Sequence, residues 1–365
     1  MTLVCDPPAA LSLELARLRE LVARHALYDA VFTTRVPGIT VARSTRTHEA
    51  MEHSVQQPAL CIVAQGNKSV QIGAEQYTYN PDRMLVYAVN LPTAFWVTEA
   101  SPSAPFLTVR VDLDPQFIAE LALKLYPHGL PRLQDSRGVQ MTAADPAIIH
   151  AAVHILETAE NERDARWVGP IILDELLMCL LLSPVGPVVA QLGRVDSGAQ
   201  RVARAIEWIQ GHLDKPLNIK LLAERAHLGV STFYAHFKAV ATMSPLQFQK
   251  NLRLQEARRL LPSTSLDVGA ISRQVGYASA SQFSRDYSRL FGRTPRTEMT
   301  QGRARPSGLE GGHNGRKIKP YGKQAGSKRG KWREGRAPGE RREQEGEGPR
   351  AVLGGNTRWP QHHPL

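Results

Sequence analysis

A short segment around residue 234 combines aromatic and small polar side chains in a pattern suited to binding a nucleic acid. Phe233 and Phe237 lie four residues apart, so on a helix they share one face and are predicted to pack inward. The outward face then carries Ser231, Tyr234, Ala235 and Lys238. Hydroxyl groups can bond base edges and a cation can meet phosphate, whereas alanine can touch only a thymine methyl group. This helix is therefore expected to read a base sequence weakly.

A second segment about fifty residues later repeats the arrangement with a stronger recognition residue. Phe283 and Tyr287 again have helical spacing and are predicted to face inward. The outward side chains are Ala280, Ser281, Ser284 and Arg285. A guanidinium can donate two hydrogen bonds to one guanine edge, which discriminates against a wrong base by ~1–3 kcal/mol. Arg285 is the leading candidate for such a contact, and a phosphate contact or a solvated surface position is the alternative.

The elements that must position these side chains form an internal repeat of helix, tight turn and helix. The predicted units span 218–240 and 267–290, and each opens on a good N-cap residue, Asn218 or Asp267. This pattern is typical of the helix-turn-helix, and two matched copies are more specific than one. Ser279 and Gln282 predict a capping box for the second recognition helix, whereas Gly229 offers the first no side-chain acceptor.

Residues 246–261 between the two units are predicted to form one helix of ~24 Å. Such a rigid linker can place two recognition helices in successive major-groove segments, which lie ~34 Å apart along the duplex. Candidate phosphate contacts on and around these helices are Lys220, Lys238, Lys250 and Arg273, with Arg253 and Arg258 as further possibilities. A solvated helix face is the alternative for each of them, and Arg253 is alternatively buried between the two units.

Charge is distributed unevenly along the 365 residues. Residues 1–200 carry a net charge of −6, residues 201–300 of +8 and residues 301–365 of +9. This asymmetry indicates a polyanionic partner for the C-terminal part. The segment 301–365 holds 14 of the 28 glycines and few aliphatic residues, so it is predicted to be a disordered basic tail.

The N-terminal part differs in its predicted secondary structure. Residues 1–30 are predicted to hold a leading helix, and residues 31–183 to form an α+β domain. Short β-rich runs between 59 and 111 predict a small antiparallel sandwich or barrel, and helical patterns follow at 115–126, 146–159 and 168–182. Pro184, Gly186 and Pro187 mark an expected linker over 184–199, before an all-α domain over 200–300.

Several function classes are disfavoured by the composition. The three cysteines, Cys5, Cys61 and Cys179, show no C-x-x-C spacing, so neither a disulfide framework nor a cysteine-based zinc site is expected. His48 and His53 lack a metal-binding spacing, and we expect no metal and no cofactor. With no signal peptide and no stretch long enough to span a bilayer, a soluble cytoplasmic protein without a membrane partner is expected.

These residues resemble the AraC/XylS family of bacterial transcription regulators. In the C-terminal part the resemblance rests on 275–285 (VGYASASQFSR), Tyr287, 290–292 (LFG), Pro295, 243–250 (MSPLQFQK) and 252–261 (LRLQEARRLL). In the N-terminal part it rests on 58–63 (PALCIV), 65–68 (QGNK), Tyr79, Asn80 and 89–92 (VNLP), which are similar to the AraC-type effector domain. His227 and Thr242 stand at turn positions that are usually glycine in the family, and the basic tail is atypical.

The resemblance implies a cupin-like N-terminal fold and base contacts by the outward residues named above. It also implies double-stranded DNA and RNA polymerase as partners, with a small-molecule effector and homodimerisation as further expectations; the effector-binding residues are not identified. The leading hypothesis is a sequence-specific regulator without catalytic residues. The alternatives are an enzyme, either a cupin-type metalloenzyme fused to a DNA-binding module or a DNA-alkylation repair protein, and a nonspecific architectural DNA-binding protein.

Overall fold

A computed structural model describes residues 7–48, 50–130, 137–192 and 198–304 of the chain. The predicted basic tail lies outside the described residues from residue 305 onward. Within these described ranges, ten strands and six helices precede residue 193. The strands are β1 (Val31–Thr33), β2 (Ile39–Ser44), β3 (Glu52–Gln56), β4 (Ala59–Gln65), β5 (Asn67–Ile72), β6 (Glu75–Tyr79), β7 (Arg83–Tyr87), β8 (Leu91–Glu99), β9 (Phe106–Asp112) and β10 (Val139–Ala143). The helices are α1 (Pro7–His25), α2 (Pro115–Leu125), α3 (Pro146–Thr158), α4 (Glu162–Trp167), α5 (Gly169–Leu182) and α6 (Gly186–Ala190).

The strands form two antiparallel sheets that pack face to face, as the sequence predicts. The larger has the order β1-β2-β9-β4-β7-β10 and the smaller the order β3-β8-β5-β6. Side chains of β4 alternate between two cores. Leu60 and Ile62 face the helices, and Cys61 and Val63 face the smaller sheet. This double burial explains why β4 is a continuous apolar run rather than an alternating one.

The helical layer packs on the outer face of the larger sheet. Asp114 and Asp145 cap α2 and α3 by accepting hydrogen bonds from backbone N–H groups, and each helix has proline in its first turn. The predicted leading helix is α1, which ends at His25, and Leu27 beyond it is exposed. Among the described residues, none of the helices combines the length and apolar character that a bilayer crossing requires.

The segment expected to be a linker is partly structured. Within 184–199, α6 forms, and Val185 and Val189 are buried in the core beneath the larger sheet. The pattern of proline and glycine residues correctly predicted where α5 ends. It missed that the apolar residues beyond the break pack back onto the core. Residues 193–197 lie outside the described part.

Seven helices make up the described part from residue 198 onward. They are α7 (Gly198–Gly211), α8 (Ile219–Arg225), α9 (Val230–Ala241), α10 (Pro245–Ser263), α11 (Val268–Gln274), α12 (Ala280–Phe291) and α13 (Pro295–Ala304). The predicted linker helix is α10, which begins one residue earlier than predicted and runs two residues further. Ser244 and Gln247 form a complete capping box at its start, which the sequence analysis did not identify.

The first helical unit packs directly against the sandwich. The Gly138 N–H donates to the Val240 carbonyl at 2.8 Å, and the Thr242 hydroxyl donates to the Ile72 carbonyl at 2.9 Å. A side chain at Gly73 would place its Cβ only 2.8 Å from the Thr242 carbonyl oxygen. The end of α9 therefore contacts Ile72 in β5 and Gly138, which directly precedes β10.

Two further contacts join the N-terminal sheets to the helices. The Asn90 amide donates to the Gln210 side-chain oxygen at 3.0 Å. The rings of His53 and Phe291 meet edge to face at 4.8 Å. Burial, reinforced by the Arg258 guanidinium, lowers the pKa of His53 to about 4. The imidazole is therefore neutral at pH 7 and suited to an apolar contact.

Candidate nucleic-acid interface

The first helix-turn-helix consists of α8 and α9. The Asn218 side chain caps α8 by accepting from the Leu221 N–H at 3.0 Å. In the turn, His227 has a φ of 53°, a left-handed conformation that glycine adopts with less strain. Phe233 and Phe237 are fully buried, which confirms their predicted inward orientation. As predicted, Gly229 gives α9 no side-chain cap.

The outward face of α9 remains accessible although the helix is docked on the sandwich. Ser231, Ala235 and Lys238 are exposed, and Tyr234 is partly buried. The sandwich contacts the other end of the helix, through Val240. The structure therefore brings the four predicted side chains onto one free surface.

The second helix-turn-helix consists of α11 and α12 and is built in the same way. The Asp267 carboxylate caps α11 by accepting from the Ala270 N–H at 2.6 Å. Ser279 caps α12 by accepting from the Gln282 N–H at 3.3 Å. The reciprocal hydrogen bond, from the Ser279 N–H to the Gln282 side-chain oxygen, does not form within the described residues, so the predicted capping box is only half formed there.

The recognition face of α12 carries the predicted residues. Phe283 and Tyr287 are fully buried, and Ala280, Ser281 and Arg285 are exposed, with Ser284 partly buried. Beside them lies a polar groove of about 250 Å³. Its lining residues are Lys250, Gln282, Arg285, Asp286 and Arg289. Within the part of the chain that the structure describes, Arg285 forms no ion pair, so its guanidinium is available to a ligand.

A buried carboxylate ties the linker helix to the second recognition helix. The Lys250 ammonium lies 2.7 Å from an Asp286 carboxylate oxygen, and the Asp286 side chain is only 7% exposed. The Arg289 guanidinium lies 3.9 Å from the same carboxylate. Burial and the Asp286 charge raise the pKa of Tyr277, whose hydroxyl faces this carboxylate at 3.5 Å. Sequence reasoning missed Asp286, because no spacing rule marks a single acidic residue on a basic helix.

Lys250 therefore has a partner that its predicted role did not include. The phosphate contact stays a prediction, and in the structure the Lys250 ammonium pairs with Asp286 and joins α12 to α10. The other three phosphate candidates, Lys220, Lys238 and Arg273, are exposed as that role requires. Arg258 lies 3.5 Å from the Glu298 carboxylate and packs on the Phe291 ring, which makes it a structural residue.

Arg253 joins the two units, which was the alternative to a phosphate contact. Its guanidinium donates to the carbonyl oxygens of Leu213 and Lys215 near the first unit, at 2.6 and 2.8 Å. It also donates to the Gly276 carbonyl in the turn of the second unit, at 2.8 Å. A Cβ at Gly276 would lie 2.7 Å from this guanidinium, and its φ of 91° also requires glycine. Arg253 thus fixes the relative position of the two units.

The two histidines considered as metal ligands make different contacts. His53 faces Phe291, whereas His48 has its Nδ1 atom 3.5 Å from the Glu52 carboxylate. The described residues contain no group of three or more His, Cys, Asp or Glu side chains arranged to hold a metal ion.

Comparison with known families matches both halves of the chain. The family of AraC-type transcriptional regulator N-termini matches residues 35–188, and a helix-turn-helix domain family matches residues 222–301. The RCS-specific HTH-type transcriptional activator RclR of Escherichia coli is 26% identical over 268 residues, which are 73% of this chain and 76% of RclR. The HTH-type transcriptional activator RhaS of Escherichia coli is 25% identical over 147 residues, which are 40% of this chain and half of RhaS.

Two solved structures are also similar to this chain. The crystal structure of ToxT from Vibrio cholerae covers 73% of this chain and 99% of its own, with 8% identity and a TM-score of 0.45. The DNA-binding domain of AdpA, crystallised with a target DNA, covers 30% of this chain and 98% of its own. It is 28% identical, with a TM-score of 0.29.

Proposed function

The chain belongs to the AraC-type transcription regulators, and we propose that it reads its operator with two recognition helices under the control of a small effector. That it is a DNA-binding regulator follows from the family. The finer assignment rests on one observation. Two buried aromatic pairs orient α9 and α12 so that their predicted contact residues are free. We assign base contacts to Ser231, Tyr234, Ala235, Ala280, Ser281, Ser284 and Arg285, and phosphate contacts to Lys220, Lys238, Lys250 and Arg273.

Recovery of genomic DNA fragments by the purified chain tests this proposal. Salt is held at ~150 mM, because phosphate-driven affinity falls steeply as salt rises. The expected result is enrichment of one motif with two conserved blocks. Recovery of fragments without any shared motif contradicts the proposal and favours an architectural protein that binds only the backbone.

Further partners are proposed from the same family. RclR and RhaS are named transcriptional activators, so we assign activation to this chain and RNA polymerase as its partner. We propose that the chain has no catalytic activity. We also propose the domain division stated above, with residues 31–183 as the effector and dimerisation domain and 200–300 as the DNA-binding domain.

Coupling between the two domains is assigned to the contact at the end of α9. Thr242 has a φ of 59°, which strains a β-branched residue by ~1–3 kcal/mol. Its hydroxyl bond to the Ile72 carbonyl offsets this strain by ~0.5–1.5 kcal/mol. An effector that favours one arrangement of the sandwich shifts the position of α9 through this bond.

Replacing Thr242 by glycine is expected to loosen the docking without unfolding the protein, because strain and hydrogen bond disappear together. The measurement is amide hydrogen exchange at Gly138, whose N–H donates to Val240. We expect exchange ~2–10-fold faster in Thr242→Gly. Thr242→Ser keeps the hydroxyl and is the control, with exchange close to wild type. Equal exchange in both variants contradicts the role given to this hydroxyl.

Homodimerisation is assigned to the outer face of α5. Val168, Ile171, Glu175, Met178 and Leu182 alternate at three- and four-residue intervals, the spacing of a coiled-coil seam. Ile171 and Leu182 are each 67% exposed. A seam of this kind is self-complementary across a two-fold axis, so a second copy of the chain is its natural partner.

Ile171→Lys is expected to weaken the dimer at least about tenfold, because it puts a charge into the seam. Leu13→Lys on α1 is the matched control, since Leu13 is an equally exposed aliphatic residue outside the seam. Sedimentation equilibrium of the three proteins gives the dissociation constants. A monomeric wild type, or a dimer that Ile171→Lys leaves unchanged, contradicts this assignment.

A further inference from the structure

Unusual polar residues lie between the two sheets of the sandwich. In β5, Lys68 shares a face with the buried Val70 and Ile72, which point toward the larger sheet. In β9, Arg110 lies directly opposite Cys61 of β4, whose side chain faces the same space. Two partly buried cations thus lie on the inner faces of the sandwich, where ionised groups are rarely placed without a partner.

The Lys68 ammonium is the more exceptional of the two. It lies 3.9 Å from the centre of the Phe95 ring, and no carboxylate or carbonyl bond to it occurs among residues 7–48, 50–130, 137–192 and 198–304. Burial lowers the pKa of Lys68, because the charged ammonium loses part of its hydration there. A cation with a purely structural role is expected to pair with a carboxylate or carbonyl group of the same protein.

Arg110, by contrast, already has three hydrogen-bond partners. Its guanidinium donates to the Asp112 carboxylate at 3.0 Å, to the Gln56 side chain at 3.2 Å and to the Gln57 carbonyl at 3.2 Å. Arg110 therefore adds positive potential to the interior while three of its N–H groups are engaged. Lys68 makes no such bonds within the part of the chain that the structure describes.

His48 lies close to the same place. Its Nδ1 atom is buried and lies 3.5 Å from the Glu52 carboxylate, without a hydrogen bond within the described residues. Its ring lies 6.3 Å from the Phe95 ring on which Lys68 rests. Burial, with a contribution from the Lys68 charge, lowers the pKa of His48, so this imidazole is neutral at pH 7. A neutral imidazole can donate one hydrogen bond from Nδ1 to an acceptor between itself and Lys68.

The charges and rings around these two donors define what could bind. The nearby carboxylates of Glu52 and Asp112 are 50% and 51% exposed, so they lie toward solvent while the cations lie inside. Phe95, Tyr79 and Tyr87 are buried and supply apolar walls. The combination of the Lys68 cation, the His48 imidazole and aromatic walls matches a small organic acid.

We propose that Lys68 and His48 bind the carboxylate of a small effector whose apolar body lies against Phe95, Tyr79 and Tyr87. This inference rests on the proposed effector-sensing function and names the chemical class of the effector. Every measurement that tests it is made on the protein without DNA, so its failure is distinguishable from failure of the DNA-binding proposal.

The first test asks whether Lys68 serves binding or stability. In the full-length chain without added organic acid, Lys68→Met is expected to keep or raise the midpoint of thermal unfolding, because it removes a poorly solvated charge from the interior. A structural Lys68 predicts the opposite. A fall of more than about 2 °C relative to wild type overturns the proposal. Lys124→Met, at an exposed position on α2, is the matched control for loss of one positive charge.

The second test uses defined probes: acetate, benzoate, phenylacetate and octanoate, each beside its uncharged amide. At least one acid is expected to raise the unfolding midpoint saturably, while its amide does not. Lys68→Met should lose at least about tenfold in affinity and His48→Phe about 2–10-fold, with Lys124→Met unchanged. If none of the four acids stabilises the wild type, if the amides act equally, or if Lys68→Met still binds, the site is not a carboxylate site.

Discussion

Arg285→Ala is expected to weaken binding to a recovered operator about 5–150-fold at ~150 mM salt. The estimate corresponds to ~1–3 kcal/mol for one bidentate contact to guanine. The structural reason is that Arg285 is exposed on α12 and makes no ion pair within the described residues, whereas its neighbour Arg289 lies near Asp286. Fluorescence anisotropy with the operator duplex and with a scrambled duplex measures both affinities.

Two companion variants decide how Arg285 acts. Arg285→Lys keeps the charge but cannot form the planar pair of bonds, so it should restore little if the arginine reads a base. Full recovery by lysine would instead assign Arg285 to a phosphate. Arg163→Ala removes an exposed arginine from α4 in the N-terminal domain and should leave both affinities unchanged.

Phe237→Ala is expected to lower the free energy of unfolding by ~3–5 kcal/mol. The side chain is fully buried, 5.7 Å from the Phe233 ring and 5.4 Å from the Phe248 ring. Its loss leaves a cavity where α9 meets the linker helix. Because α9 also carries the contact to Gly138, both the first recognition helix and its docking on the sandwich should fail together.

Urea unfolding followed by circular dichroism measures this change, with Lys238→Ala as the control at the adjacent exposed position. The control should differ from wild type by no more than ~0.5 kcal/mol. A loss below 1 kcal/mol in Phe237→Ala would show that this ring is not part of the core that orients α9.

The repeated units were predictable because their information is local. Capping residues, i,i+4 aromatic pairs and a short turn follow from neighbouring positions, and Asn218, Asp267, Phe233 and Phe283 all have the predicted local structure. Strand positions between 59 and 111 were likewise predictable from short apolar runs bounded by turn residues.

What could not be predicted depends on distant parts of the chain. Lys250 and Asp286 are 36 positions apart in the sequence, and no pattern among the neighbours of either residue predicts that they pair. Thr242 and His227 were identified only as departures at turn positions. The left-handed conformation of both follows from the turn, but the bond from Thr242 to Ile72 needed the docked domain. The same holds for Lys68, whose position opposite the larger sheet follows from strand pairing alone.

Hydroxyl-radical footprinting on a recovered operator tests the central claim most directly, namely that two linked recognition helices occupy two successive major-groove segments. The account predicts two protected patches on one face of the duplex, centred about 10–10.5 base pairs apart. Arg285→Ala should weaken the patch bound by α12 more than the other. A single patch, or even protection along the whole fragment, would contradict the account.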